Sequence, residues 1–308
     1  MLAGSKSVLL ACDAGQTGIR IAVIDENSRE DFSFPGLLTN QDIFPQLQRV
    51  IAKTLETKTG TFEVAIGTTA LTRAQTKPEV LLNGLGSKVK KVYLAHDSVT
   101  GVLGSIGLSA GTMTAVGTGV VTLSVGEKTI ARVDGWGNLI GDCGSAYWIG
   151  RAGLELALKS YDGRIPETSL QKILWENFEH PEEAYVELQT NPDRVAKVAS
   201  LARAVIEFAD SDKAARQIVN AAAFELALSA ATAARRSGVV NDAKPLFSWA
   251  GNVMKANLMR SEFEKQLLLQ IPKAVLKPPI GEPIDGVILL PAVREQSPLF
   301  GEIKVAQK

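Results

Sequence analysis

Two hairpin patterns, each with a glycine-rich bend, constrain the fold of this chain more than any other feature. In the first, the apolar run VLLAC leads into Asp13 and a polar turn, after which 19–24 is again strand-like. In the second, the run at 113–116 breaks into Gly117-Thr118-Gly119 before strand character resumes. Such turns can present backbone N–H groups to an anion such as a phosphate. An Asx-turn in the first hairpin and an ordinary tight turn in the second are the open alternatives.

A further glycine-rich segment, DGWGNLIGDCGS, follows the second hairpin and places Asp142 just ahead of the helix-like stretch AYWIGRAGLELALKS. This arrangement predicts a carboxylate near a helix N-terminus, on a backbone that allows close approach of a ligand. The alternative is that Asp142 only caps the helix.

Strand-like and helix-like segments alternate along the first part of the chain. Helices are expected over 43–58 and 74–85, and strands over 62–67 and 92–95. This order predicts a mostly parallel sheet with helices on its faces.

Asp97 follows the strand at 92–95 and precedes another helix-like segment. Ligands bind in the crevice outside the carboxyl ends of such strands, which makes Asp97 a candidate for catalysis; its alternative role is helix capping. For the neighbouring His96 we expect a structural role.

The second half contains mostly helices before it returns to alternating order. Helices are expected over 144–160, 167–178, 181–189, 193–210 and 213–237. A strand at 245–251 then ends in Gly251-Asn252, and a helix at 255–270 and a strand at 273–276 follow.

These segments predict two α/β domains, 1–112 and 113–308, the second with a helical insertion at about 150–240. Because each half opens with a similar hairpin, an internal duplication with a ligand cleft between the domains is predicted.

Composition limits the partners. Thirty-three basic and 33 acidic residues cancel, which argues against nucleic acid or an anionic membrane as a partner. No stretch approaches the roughly 20 apolar residues that span a bilayer, and the start does not read as a secretory signal, so a cytoplasmic protein is expected. Cys12 and Cys143 form no CxxC pair and are expected to be reduced.

Several motifs together resemble the BadF/BadG/BcrA/BcrD ATPase family, and within it the N-acetylglucosamine kinases. The segment DGWGNLIGDCGSAYWIG is similar to the kinase pattern GGWGxxxGDEGSxYWI. The turn after Asp13 resembles the first phosphate motif of the family, Gly117–Gly119 the second, and Gly251-Asn252 more loosely the adenosine motif. The resemblance implies an α/β fold of two ribonuclease H-like domains, as in actin-like ATPases, with an interdomain cleft. It also implies that the C-terminal segment packs back on the first domain.

The resemblance also implies roles for individual residues. Asp97 would be the general base, and Asp13 would hold Mg²⁺. The residues implied to bind ATP are Asp13, Gly15, Gln16, Thr17, Gly117, Thr118, Gly119, Gly251 and Asn252. The residues implied to bind the sugar are Asn40, Thr118, Gly135, Trp136 and Asp142.

The chain departs from the family pattern at three places. Cys143 replaces an acid, Asp42 stands where an aromatic residue is expected, and GTTA at 67–70 differs from a glycine-rich turn. An Asp42 near the amino group would favour a free ammonium over an acetamido group.

The predicted function is therefore ATP-dependent phosphorylation of an amino sugar, N-acetylglucosamine or a glucosamine-like hexosamine. The alternatives are an activator ATPase that couples hydrolysis to electron transfer through an iron–sulfur cluster, and a sugar sensor without turnover. Neither the identity of the sugar nor homodimer formation is decided by the sequence.

Overall fold

The structure is a computed structural model that describes residues 8–72 and 76–308. The chain divides into two compact units. Unit 1 runs to Ala110 and takes up again at Glu127–Thr129 and Pro279–Lys308. Unit 2 comprises Gly111–Gly126 and Ile130–Pro278.

The strands, in chain order, are β1 (Val8–Ala14), β2 (Ile19–Ile24), β3 (Arg29–Phe34), β4 (Phe62–Thr68), β5 (Val89–His96), β6 (Gly111–Val116), β7 (Val120–Val125), β8 (Ile130–Asp134), β9 (Leu246–Ala250), β10 (Val275–Leu276) and β11 (Lys304–Gln307). The α-helices are α1 (Ile43–Leu55), α2 (Pro78–Gly84), α3 (Asp97–Ile106), α4 (Ala146–Tyr161), α5 (Gln171–Asn177), α6 (Ala184–Thr190), α7 (Arg194–Ser200), α8 (Ala202–Phe208), α9 (Lys213–Ser237), α10 (Asn257–Gln270) and α11 (Pro283–Leu289).

The sheet of unit 1 has the strand order β11-β5-β4-β1-β2-β3. β1, β4 and β5 are parallel to one another, whereas β2 and β11 each lie antiparallel to their neighbours, and β3 lies antiparallel to β2. The parallel pairing expected for the alternating segments is present in β1, β4 and β5. The hairpin strands on one side and β11 on the other make the whole sheet mixed instead of mostly parallel.

Helix α1 shows how the apolar pattern builds the core of unit 1. The side chain of Asp42 caps the helix by accepting from the backbone N–H of Phe44. Leu47 and Ile51 lie one turn apart on the same face and are fully buried. Helix α2 lies within the segment expected over 74–85, of which residues 74 and 75 fall outside the described part of the chain.

Helix α11 packs against α3 at a distance that only glycine allows. A Cβ on Gly286 would lie 1.8 Å from the carbonyl oxygen of Thr100, and one on Gly104 would lie 2.4 Å from that of Glu282. The C-terminal segment of unit 1 therefore supports the helix that begins at Asp97.

Unit 2 repeats the arrangement of unit 1. Its sheet has the order β10-β9-β6-β7-β8, in which β6, β9 and β10 are parallel and β7 and β8 complete an antiparallel meander. The strands β5-β4-β1-β2-β3 have the same order and directions in unit 1. This shared order supports the internal duplication inferred from the two hairpins.

Helix α9 packs against α4, α8 and α10 and against the sheet of unit 2. Its alanine-rich inner face is buried, and the helix ends at Gly238, which adopts the left-handed conformation with φ of 86°. The helix expected over 193–210 is divided into α7 and α8 around Leu201.

Across residues 8–72 and 76–308, no helix combines the length and the apolar character that crossing a bilayer requires.

Candidate active site

Parallel strands in unit 1 end together at one edge of the sheet. Ala14, Thr68 and His96 lie side by side across β1, β4 and β5. Asp13 directly precedes this row and Asp97 directly follows it. The topology therefore brings the two predicted acidic residues to one edge, which is where α/β sheets bind ligands.

The Asp13 carboxyl is half-buried and has an unfavourable electrostatic environment. Burial, and then the negative charge of Asp97, raise the pKa of Asp13 to about 6, although Arg20 acts in the opposite direction. Arg20 lies opposite Asp13 in the β1–β2 register and forms an ion pair with Glu282. A cation bound beside Asp13 would stabilise its ionised form, which burial and the charge of Asp97 disfavour.

Asp97 is the first residue of α3 but does not cap it. His96 occupies the N-cap position, and its Nδ1 lies 3.2 Å from the backbone N of Ser98. Burial acts to raise the pKa of Asp97, but hydrogen bonds from the side chains of His96 and Thr69 outweigh it and hold the pKa below its ordinary value of 3.8. Asp97 is therefore ionised at neutral pH.

His96 has a closer relation to the acidic edge than a lone core histidine would have. Its Nδ1 lies 2.8 Å from Oδ1 of Asp97 and 3.0 Å from Oγ of Ser98. The expected structural role is consistent with its cap, but the same ring also orients the Asp97 carboxylate.

The turn of the first hairpin is supported by the loop that follows β3. The backbone N–H of Gly15 donates to the carbonyl of Gly18, and Nε2 of Gln16 donates to Oγ1 of Thr39 at 3.1 Å. A Cβ on Gly36 would lie 1.9 Å from the carbonyl oxygen of Gln16. The predicted phosphate turn, with the exposed Thr17, and the loop that carries the exposed Asn40 are thus neighbours.

Asp42 has a structural explanation that the sequence did not reveal. Its Oδ1 accepts from the backbone N–H of Phe44 at 3.0 Å, as the N-cap of α1. Helix capping alone accounts for an acid at this position, so it no longer argues for a free ammonium on the sugar.

In unit 2, the turn of the second hairpin is joined to the start of α4. The backbone N–H groups of Ala146 and Tyr147 donate to the carbonyls of Gly117 and Thr118 at 2.9 and 3.2 Å. The side chain of Ser145 caps the helix by accepting from Trp148. The alternative that Asp142 caps α4 is therefore wrong.

Asp142 is buried and binds the backbone of both glycine segments. Its Oδ1 accepts from Gly137 at 3.1 Å, and its carboxylate also accepts from Val120 and Trp136. Burial is the main reason why the pKa of Asp142 is raised, in spite of these hydrogen bonds. A Cβ on Gly119 would lie 2.5 Å from Oδ2 of Asp142. The 117–119 turn and the glycine-rich segment around Asp142, which are separate in sequence, are thus in contact.

The loop between Asp134 and Asp142 projects large apolar side chains into solvent. Trp136 is 70% exposed, Leu139 89% and Ile140 85%. Gly135, at the base of the loop, has φ of 79° and accepts from Nη2 of Arg132 through its carbonyl at 3.1 Å. An exposed indole ring is available to pack against a ligand.

Gly251 lies at the end of β9, beside the end of β6. It has φ of 91°, and a Cβ there would lie 2.3 Å from the carbonyl oxygen of Val116. Since Ala115 pairs with Ala250, Gly251 and the exposed Asn252 are placed at the same sheet edge as the 117–119 turn. The structure therefore places the unit 2 residues that are predicted to bind the nucleotide next to one another.

The two cysteines differ in accessibility. Cys12 is fully buried inside β1, and burial raises the pKa of its thiol far above the ordinary range. Cys143 is half-buried next to Asp142, and its pKa is also raised, mainly by burial. Both are free thiols, and neither is present as a reactive thiolate at neutral pH.

Sequence reasoning missed the residues that interact with the predicted acidic residues. Arg20 and Glu282 flank Asp13, Thr69 binds Asp97, and Asp134 binds Asp142. A signal existed only for Arg20, since a two-strand hairpin places it opposite Asp13. The other contacts join segments that are distant in sequence or lie inside an irregular loop.

A profile of the BadF/BadG/BcrA/BcrD ATPase family matches residues 41–288. This chain belongs to that family. The resemblance inferred from the motifs is therefore confirmed.

Characterised relatives of this family member are sugar kinases. It is similar to the N-acetylmuramic acid/N-acetylglucosamine kinase of Clostridium acetobutylicum, with 29% identity over 224 residues that cover 68% of this chain and 70% of the relative. It is also similar to the N-acetyl-D-glucosamine kinase of Dictyostelium discoideum, with 26% identity over 314 residues that cover 93% of this chain and 98% of the relative.

The fold has a solved counterpart. A structure of a candidate N-acetylglucosamine kinase from Chromobacterium violaceum matches with a TM-score of 0.75 at 21% identity and covers 92% of this chain and 98% of that one. Together with the two related mixed sheets, this likeness confirms the predicted α/β fold of two ribonuclease H-like units.

Proposed function

We propose that this chain is an ATP-dependent sugar kinase that phosphorylates an amino sugar, with N-acetylglucosamine as the first candidate. The observation that carries the proposal is the pairing of Asp13 and Asp97 at one sheet edge, with their pKa values displaced in opposite directions. Membership of an ATPase family and the sugar kinases among its relatives support the same reaction.

Asp97 is the proposed general base. Its hydrogen bonds with His96 and Thr69 fix the carboxylate and keep it ionised. In the reaction it accepts the proton of a sugar hydroxyl while that oxygen bonds to the γ-phosphorus of ATP and the bond to the β,γ-bridging oxygen breaks. Transfer of a phosphoryl group depends mainly on positioning and charge stabilisation, so a weakly basic carboxylate is sufficient.

Asp13 is the proposed anchor for Mg²⁺. No group of three or more acidic, histidine or cysteine side chains that could hold a metal occurs in the described part of the chain. A single carboxylate fits Mg²⁺, which usually keeps several waters and binds through one or two carboxylates and the substrate phosphates. Bound there, the ion would neutralise charge on the transferred phosphoryl group. The raised pKa of Asp13 is consistent with a group that lacks a cation partner.

The nucleotide phosphates are proposed to bind the two hairpin turns. Gly15, Gln16 and Thr17 form the first turn, and Gly117, Thr118 and Gly119 form the second. Gly251 and Asn252, next to the second turn, are proposed to contact the nucleoside.

The proposed sugar contacts are Asn40, Thr118, Gly135, Trp136 and Asp142. The exposed indole of Trp136 offers an apolar face to a sugar ring, whereas carboxylate and amide groups suit its hydroxyls.

An activator ATPase with a bridging iron–sulfur cluster is disfavoured. A cluster held by two copies of the chain requires four thiolates, hence two accessible cysteines in each. Cys12 is fully buried in the core of unit 1 and is unsuited to that role.

The test is a coupled assay of ADP release with Mg-ATP and a panel of N-acetylglucosamine, N-acetylmuramic acid, glucosamine and glucose. We expect release of ADP to depend on one amino sugar, and the phosphosugar to appear in equal amount by mass spectrometry. ADP release at the same rate without any sugar would support an ATPase instead. Binding of a sugar without ADP release would support a sensor.

A further inference from the structure

Asp134 and Asp142 both adopt a backbone conformation that disfavours side chains. Asp134 has φ of 63° and Asp142 has φ of 55°, both in the left-handed region. The family pattern GGWGxxxGDEGSxYWI has glycine at the position of Asp134, which is the residue expected for such a φ. An aspartate at this position must be compensated by interactions of its side chain.

The side chain of Asp134 closes the signature loop, which we define as residues 134–142. Its Oδ1 accepts from the backbone N–H of Gly135 at 2.9 Å and from that of Asp142 at 3.0 Å. Asp142 in turn accepts from the N–H of Gly137 at 3.1 Å. One carboxylate therefore fixes the backbone from which the buried carboxylate of Asp142 projects.

Apolar packing does not hold the signature loop in place. Its three large apolar side chains, those of Trp136, Leu139 and Ile140, are all at least 70% exposed. With these side chains in solvent, hydrogen bonds provide the local order: those from backbone N–H groups to the two carboxylates, and one from the N–H of Gly141 to the carbonyl of Gly137 at 2.9 Å.

We propose that Asp134 is a positioning residue that acts through Asp142 to hold the signature loop in its sugar-binding geometry. This proposal rests on the sugar kinase function proposed above. It assigns to Asp134 no contact with the sugar. Its effect should appear in the KM for sugar and not in the KM for ATP.

Three variants separate the hydrogen bonds from the charge and from the backbone conformation. Asp134→Gly allows the left-handed backbone but removes the acceptor, Asp134→Asn keeps the Oδ1 acceptor without the charge, and Asp134→Ala removes the acceptor at a strained φ. We expect Asp134→Gly to raise the KM for sugar about ten- to a hundredfold, with kcat and the KM for ATP within about twofold of wild type. Asp134→Asn should restore most of the sugar affinity.

A structural readout accompanies the kinetics. Hydrogen–deuterium exchange of amides in the signature loop should accelerate in Asp134→Gly and stay slow in Asp134→Asn. A double-mutant cycle with Asp142→Ala should show that Asp134→Gly adds little once Asp142 is truncated.

An Asp134→Gly protein with wild-type sugar KM and wild-type exchange would overturn the inference, as would full additivity with Asp142→Ala. Failure of the proposed function has a different signature, namely a wild-type chain that turns over no sugar of the panel. In that case the proposed effect of Asp134 on sugar affinity is refuted as well. The exchange rates still decide whether Asp134 holds the signature loop in place.

Discussion

The two units end their central strands in the same topology but arrange their chemistry differently. At the edge of unit 1, the negative charge of Asp97 raises the pKa of Asp13, and these two side chains are the ones proposed to act in the reaction. At the edge of unit 2, the carboxylate of Asp142 binds backbone N–H groups, and close contacts at Gly119 and Gly251 set the geometry. Unit 1 should therefore be sensitive to loss of charge, and unit 2 to addition of a Cβ.

The largest effect should come from Asp97→Asn, which removes the proposed base without changing its size. We expect kcat to fall by about 10² to 10⁴ with the KM values nearly unchanged, because only proton transfer is impaired. Steady-state kinetics with the preferred sugar measure this effect. Asp25→Asn is the matched control, since the hydrogen bonds that Asp25 accepts from the backbone N–H groups of Asn27 and Ser28 are ones that asparagine can also accept. Equal activity of wild type and Asp97→Asn would contradict the expectation that unit 1 is sensitive to loss of charge.

Asp13→Asn should reduce activity about a hundredfold or more, and at the same time stabilise the protein. The pKa of Asp13 is raised from 3.8 to about 6, so its contribution to stability is present below pH 3.8 and is lost as the pH rises through 6. Above pH 6 the ionised group destabilises the fold by about 1–2 kcal/mol, allowing for its partial solvation.

Thermal unfolding in a chelating buffer checks this prediction. The Tm of Asp13→Asn should exceed that of wild type at pH 7.5, and the two should converge near pH 4. A variant that is less stable than wild type at pH 7.5 would show that Asp13 is held by favourable interactions, and the electrostatic description of unit 1 would be wrong.

The sequence predicted the acidic edge of unit 1 because the features involved are local. Asp13 follows a continuous apolar run, and Asp97 lies at a junction between a strand and a helix, so each position depends on its immediate neighbours. The glycine at 251 was found in the same way, at the end of the strand pattern PLFSWAG. Family resemblance then supplied their roles.

The individual contacts between distant segments could not be predicted from local patterns. β11 is a short, mostly exposed strand whose partner, β5, lies some two hundred residues earlier in the chain, and β8 has a weak alternating pattern. The capping of α4 by carbonyls of the 117–119 turn involves no distinctive side chain. The capping role of Asp42 was not predicted, because an N-cap and a ligand-binding residue are both carboxylates ahead of a helix.

Gly251→Ala tests the backbone of unit 2. Its Cβ would lie 2.3 Å from a main-chain oxygen at a φ of 91°, so β6 or β9 must shift. We expect a rise of about tenfold in the KM for ATP and a loss of about 2–3 kcal/mol in the free energy of unfolding. ATP titrations and denaturant unfolding measure the two effects.

Gly163→Ala is the control for that substitution. Gly163 has a comparable φ of 77°, but a Cβ there would meet nothing within 4 Å. This variant therefore introduces backbone strain without a steric clash. We expect it to lower the free energy of unfolding by about 1 kcal/mol and to leave the KM for ATP unchanged. If both variants behave alike, close approach at Gly251 has no specific role in the nucleotide site.

The smallest effect should come from Gln46→Ala, which asks whether unit 1 also depends on backbone positioning. Oε1 of Gln46 accepts from the N–H of Leu38, and Nε2 donates to the carbonyls of Leu38 and Asp42, all at 3.0 Å. The side chain thus holds the loop that carries Asn40. Its loss should raise the KM for sugar about threefold to tenfold, with kcat unchanged.

Gln48→Ala, two residues along α1, is the matched control. Within the described part of the chain, its Nε2 donates to the carbonyl of Val80 in α2 and not to the loop that carries Asn40, so this variant should keep the wild-type KM for sugar. A change in KM confined to Gln46→Ala would show that unit 1 also positions a proposed sugar-binding residue, Asn40, through hydrogen bonds to the main chain, as unit 2 does with Asp142. If neither variant changes the KM for sugar, the loop that carries Asn40 does not need the hydrogen bonds of Gln46. The activity of unit 1 would then depend on the charges of Asp13 and Asp97 alone.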